Sequence, residues 1–312
     1  MKKILKYTCT IIVLLLVYFG ALYITSLIPQ EALKTKVSES AQILLKQGNN
    51  FFIKIANKNM YIKFDNYTDA LMVNTAYSID SNEPLISSLV CRENYIPGTT
   101  VIEYQDTVSE LKSASKYPEI NQVAELNDTV NGDIGESFEY ARYWHGYLVP
   151  LRILLCIFNI TEIRTMFILL FLVLIITLMI LITKKLNIYS MLVFLVALIS
   201  VDYFYIGISL QGSSIFFITM LASIALIYRY DKIKDFSLLF LIIGSLTSFF
   251  DFLTVPILTL GIPFTIFFLI KRKRRINNKR YTTMDGKNRI CLGSRIFCNM
   301  VCKMGYCRCV GR

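Results

Sequence analysis

Apolar positions in this chain form long unbroken runs near both ends and a helical stripe between them. After Lys2, Lys3 and Lys6, the segment from about Thr8 to Leu27 is almost wholly apolar. It is longer than the core of a secretory signal, and no small-x-small cleavage site follows it. It therefore predicts an uncleaved membrane-spanning helix. Further runs at 163–183, 188–206 and 213–228 predict three more spans. The stretch 235–275 predicts two, divided near Asp251 and Pro256. The run at 149–160 is too short to cross a bilayer and carries Arg152, which suits a helix lying in the interface.

Residues 29–148 hold no spanning run. Leu33, Val37, Ala41, Leu44 and Leu45 recur at helical spacing. In "FDNYTDALMVN", Thr68 or Asp69 precedes an apolar run as a helix N-cap would. "TTVIEY" reads as a short strand. The pattern predicts an all-α polytopic membrane protein of about six transmembrane helices. Its parts are an N-terminal span (1–28), a mainly helical extracytoplasmic domain (29–148), an interfacial helix (149–160), a five-span bundle (161–270) and a tail (271–312).

Composition strengthens this reading and orients it. Of 312 residues, 54% are hydrophobic and the mean hydropathy is +0.52, too apolar for a water-soluble surface. The net charge of +11 is unevenly spread: residues 29–148 hold 16 acids and 10 bases, the remainder 6 acids and 23 bases. In a membrane chain such asymmetry encodes topology and not a nucleic-acid footprint. Lys2/Lys3/Lys6, Lys184/Lys185, Arg229/Lys232/Lys234 and Lys271–Arg275 fall at alternate ends of successive spans. The acidic segment, Asp202 and Asp251 fall at the opposite ends. The positive-inside rule then makes the N-terminus cytoplasmic and 29–148 external, in a multi-pass protein of the cell membrane.

Candidate chemistry gathers where the external segment re-enters the bilayer, at "ESFEYARYWHGYLVPLR". Trp144 and His145 are the only residues of their kinds. Glu136, Glu139, Arg142 and His145 are spaced by three, which on a helix makes a polar ladder with Arg152 one or two turns deeper. Arg and His at an interface can hold a phosphate, and a nearby carboxylate can act as a general base. The plainer reading is a salt-bridged juxtamembrane helix with interfacial aromatics. Asp251 is either at the outer surface or a buried functional group beside a helix bent by Pro256, Gly261 and Pro263. Asp69 is either an N-cap or catalytic, and Asp65 in the same segment completes the set of candidates. There is no P-loop, GxGxxG, HExxH or GxSxG, and a single histidine excludes a His-rich metal site.

"DNYTDALMVN", "EYARYWHGYLVPLR" and "FFDFLTVPILTLGIP", in this layout, resemble polytopic membrane proteins of Gram-positive bacteria and, beyond them, the GT-C class of glycosyltransferases. The likeness covers roughly residues 1–275. It implies sugar transfer from a polyprenyl-phosphate sugar to a cell-envelope glycan acceptor at the outer face, with no other cofactor and the need for a divalent metal left open. Asp69 or Asp65 would be the base, and Arg142, His145 and Arg152 the lipid-phosphate site, with Glu139 and Asp251 as further polar candidates. The chain has fewer spans than most GT-C enzymes. The competing expectation is a non-catalytic membrane component of an envelope-assembly complex, or an inactive truncated enzyme. A transporter fits less well, because the spans carry few charges and no repeat.

The tail holds five of the eight cysteines, Cys291, Cys298, Cys302, Cys307 and Cys309, in no paired C-x-x-C pattern. Residues 271–312 carry 13 bases and one acid, as expected of a basic cytoplasmic tail. Read one nucleotide forward, every Cys codon becomes Val or Ala. Met284, Met300 and Met304, each followed by a residue whose codon begins with G, become Trp. The expectation is a frameshift after about Ile276, loss of the true C-terminal spans, and a disordered, functionless tail.

Overall fold

A computed structural model describes residues 2–48, 52–54, 61–63, 65–95, 121–132, 136–200, 209–251 and 256–282. The strand expected in "TTVIEY", Asp202 and the cysteine-rich tail lie outside them. The described chain is mainly helical. In order it forms α1 (Lys2–Ser26), α2 (Gln30–Gln47), β1 (Phe52–Lys54), β2 (Tyr61–Lys63), α3 (Asn66–Tyr77), α4 (Pro84–Val90), β3 (Arg92–Tyr95), α5 (Gln122–Asn131), β4 (Glu136–Glu139) and α6 (Leu148–Leu155). Then come α7 (Ile160–Lys185), α8 (Ile188–Ser200), α9 (Leu210–Arg229), α10 (Phe236–Phe250) and α11 (Pro256–Thr282). The strands form two antiparallel pairs, β1 with β2 and β3 with β4.

Among the described residues, three helices are long and apolar enough to cross a membrane: α1, α7 and α9, of 25, 26 and 20 residues. At 1.5 Å rise per residue α7 is about 39 Å long, more than the roughly 30 Å of a hydrocarbon core. α8 and α10 are apolar but describe only 13 and 15 residues. Long apolar helices of this kind are compatible with an integral membrane protein.

Hydrogen bonds fix which helix ends lie together. Lys6 Nζ donates to Asp235 at 2.9 Å, and Lys185 Nζ donates to Asp231 at 3.0 Å. The start of α1, the end of α7 and the α9–α10 link therefore share one end of the bundle. These pairs are substantially exposed and screened by solvent, so they add little stability; their value is as markers. At the other end, Ser40 of α2 accepts from the Ile160 N–H that opens α7, at 2.9 Å. There too Gly146 N–H donates to Phe249 O at 2.9 Å, joining the loop before α6 to the end of α10. Lys6 and Lys185, two of the basic positions read from the sequence, thus lie at one end of the bundle.

One hydrophobic core runs through that second end. Leu33, Val37, Ala41 and Leu44 of α2 are all at most 1% exposed, as their spacing predicts. They join Tyr18 and Leu22 of α1, Val73 and Ala76 of α3, Leu126 of α5, Leu151 of α6, and Ile160 and Ile163 of α7. Leu45, expected on the same stripe, is 38% exposed and points outward. The chain divides into Met1–Ile266 and Phe267–Arg312. In the second unit Lys271 lies over the Phe267 ring, 5.6 Å from its centroid.

The predicted ladder of Glu136, Glu139, Arg142 and His145 is not helical. Glu136–Glu139 is strand β4, paired in register with Arg92–Tyr95. Spacing by three is weak support for a helix, and a partner strand more than 40 positions away overrides local preference. The segment expected to be a helix over 149–160 forms α6, which ends at Leu155, before the capped start of α7.

Candidate functional site

Two buried arginines organise the end of the bundle where α2, α3, α6 and the start of α7 meet. The first is Arg164, in the second turn of α7, 4% exposed. α7 begins with a capping box: Asn159 accepts from the Glu162 N–H while the Glu162 carboxylate accepts from the Asn159 N–H. That fixed start aims Arg164 at α3. Its Nε and Nη2 donate to Asp69 Oδ2 at 2.9 and 2.6 Å, Nη2 also to Asn66 Oδ1 at 2.9 Å, and Nη1 to Gln47 Oε1 at 3.2 Å. Asp69 is fully buried, and its Oδ1 accepts from Leu210 N–H at 2.8 Å. Leu210 is the first residue of α9, whose N-cap Ser209 supplies no side-chain bond. Asp69 thus caps α9 from another helix, its charge set against the positive end of that helix. Burial raises the Asp69 carboxyl to about 6, against the opposing pull of Arg164.

The second is Arg152, in the last turn of α6 and 0% exposed. Its Nε donates to Thr25 O at 3.0 Å; Nη1 and Nη2 donate to Ala76 O and Ile28 O. Thr25 and Ala76 lie in the last turns of α1 and α3, where carbonyls have no intrahelical donor. One planar guanidinium therefore closes two helix ends and the link after α1, where the helix dipoles favour a cation. Burial lowers its pKa to about 10, still far above neutrality. Three of its five N–H groups are engaged with backbone carbonyls.

The other expected residues lie elsewhere. Asp65 is half-buried and is the N-cap of α3, accepting from Thr68 N–H at 3.1 Å; the cap is neither Thr68 nor Asp69. Arg142 is exposed in a turn, its guanidinium 5.4 Å from the Tyr143 ring centroid. Glu139 is exposed at the end of β4. Asp251 is buried, 4% exposed, directly after α10. His145 is 2% exposed with φ 51°. Its Nε2–H donates to Tyr140 O at 2.6 Å and its Nδ1 accepts from the Tyr147 hydroxyl at 3.1 Å. Burial lowers its pKa against the opposing backbone bond to Tyr140, and the ring ties its own loop together. Trp144 meets Phe19 of α1 edge to face at 5.3 Å and lies 6.3 Å from Phe249. Gly146 follows because a Cβ there would stand 2.5 Å from Phe249 O. The WHG triplet is thus a joint between α1, α10 and the loop before α6.

The structure therefore joins Asp69 to Arg164, a residue the sequence reading missed. The clue was available: Asn159-x-x-Glu162 marks a helix start, and a lone arginine just inside an apolar span demands a partner. Asp69, His145 and Arg152 each engage separate partners. Among the described residues no group of three or more His, Cys, Asp or Glu could hold a metal ion. The chain matches no family model, no curated protein and no solved structure.

Proposed function

We propose that this integral membrane protein is a non-catalytic component of a cell-envelope assembly complex, with its N-terminus in the cytoplasm and the layer from α2 to α6 outside. One observation carries this reading: the residues expected to perform catalysis are engaged in holding helices together. Both Asp69 oxygens accept charged or helix-end donors, and Arg152 binds three carbonyls. A general base needs an open lone pair facing its substrate, and a phosphate site needs open donors.

A second reading keeps the GT-C-like glycosyltransferase, with Asp69 as base and a polyprenyl-phosphate sugar as donor. It is favoured by the Asp69 carboxyl at about 6, near the range of a working base. Complementation of a deletion strain separates the two, with cell-wall glycan composition and chain abundance as readouts. An anchoring ion pair can be replaced by apolar residues of similar size. Asp69→Leu combined with Arg164→Met is expected to restore the wild-type glycan. Loss of the glycan while the double variant accumulates in folded form overturns the proposal in favour of the transferase.

A further inference from the structure

α4 is built inside out. Of its seven residues, Pro84–Val90, the one that is buried is a serine: Ser88 is 3% exposed and returns its hydroxyl to Leu85 O at 2.9 Å. Next to it, the Ser87 hydroxyl accepts from Asp80 N–H at 3.1 Å. Leu85, Ile86 and Leu89 are 53%, 50% and 43% exposed. Positions i, i+1 and i+4 share one helix face, so the three large apolar side chains form one outward patch. A helix bathed in water has the reverse arrangement.

The surroundings say what meets this patch. α4 packs against α1, one of the three described helices long and apolar enough to cross a membrane. At the end of α1 that Arg152 ties to α3, Ile24 and Leu27 are 65% and 48% exposed. The polar residues that lead into α4, Asn82 and Glu83, are exposed as well. We propose that α4 lies in the interface of the bilayer leaflet at this end, with Leu85, Ile86 and Leu89 among the acyl chains and Asn82 and Glu83 at headgroup level. The partner is a lipid surface, and the inference rests on the integral-membrane reading. The patch continues the lipid-facing surface of α1 and gives the layer around α3 a second foothold beside the spans. An apolar face laid at the acyl boundary is how such helices bind membranes.

Tryptophan placement tests it, because the chain has one native tryptophan, Trp144, whose signal can be subtracted. Ile86→Trp, Leu89→Trp, Asn82→Trp and Leu169→Trp are purified as full chains and reconstituted in phosphatidylcholine vesicles. Quenching is measured with acyl-brominated phosphatidylcholine and with aqueous acrylamide. Leu169 is 59% exposed on the spanning helix α7 and reports whether the bundle is inserted at all. The expected result is that positions 86 and 89 rank with 169 under brominated lipid, and that 82 ranks apart from them under acrylamide. If 169 is quenched by lipid while 86 and 89 follow 82 into acrylamide, α4 faces water or a missing protein partner and the proposal falls. If 169 itself escapes the lipid quencher, the membrane reading fails with it.

Discussion

Replacing Arg152 by methionine keeps most of the side-chain stem and removes all the donors. Ile28 O and Ala76 O then lose this donor, and Thr25 O keeps only the Ile28 N–H at 3.2 Å, in a region where Arg152 itself is inaccessible to solvent. Each buried acceptor left unsatisfied costs about 1–3 kcal/mol. The helix ends relax and admit some water, so the expected net loss is about 3–5 kcal/mol, the range for breaking a buried charged contact. Cys91 reports it. Its side chain is 0% exposed in the core shared with Ala76, and burial pushes its thiol up to about 12. It therefore reacts with a maleimide only when that core opens. In a chain with every other cysteine changed to serine, a loss of about 3 kcal/mol raises the labelling rate roughly a hundredfold. Arg152→Lys, which keeps the charge without the fork, is expected to fall between. Labelling of Arg152→Met at the wild-type rate would refute the claim that this guanidinium closes the helix ends.

Three further outcomes are expected. The folded Asp69 carboxyl titrates near 6 against 3.8 ordinarily, so folding takes up a proton between those values. Its contribution is full below 3.8 and is lost as pH rises through about 6. Asp69→Asn is expected to remove this component from the pH dependence of the melting temperature in detergent; an unchanged profile would count against it. Gly146→Ala brings a methyl group within 2.5 Å of Phe249 O, and is expected to cost about 1–3 kcal/mol or more. The fluorescence of Trp144, packed beside Phe19 and Phe249, should shift toward that of the unfolded chain at lower denaturant. In intact cells, Asn82→Cys is expected to react with a membrane-impermeant maleimide while an N-terminal tag stays protected; the reverse would invert the topology.

Local pattern determined the helical class, the positions of α1, α7 and α9, and the buried stripe of α2. Each depends on a run or period within about twenty residues, and a helix satisfies its own backbone there without distant partners. Charge distribution also placed Lys6 and Lys185 at one end of the bundle, where they meet Asp235 and Asp231, because lysines avoid the apolar layer whatever the packing. Tertiary structure decided the rest. Asp69 meets Arg164 across 95 positions and Leu210 across 141. Arg152 finds carbonyls more than 70 positions away, and β4 forms because β3 is its neighbour. A spacing of three in Glu136–His145 was compatible with a helix and with a strand followed by a turn. What separates them is which buried donors and acceptors find each other, and that is fixed only when distant segments share one core.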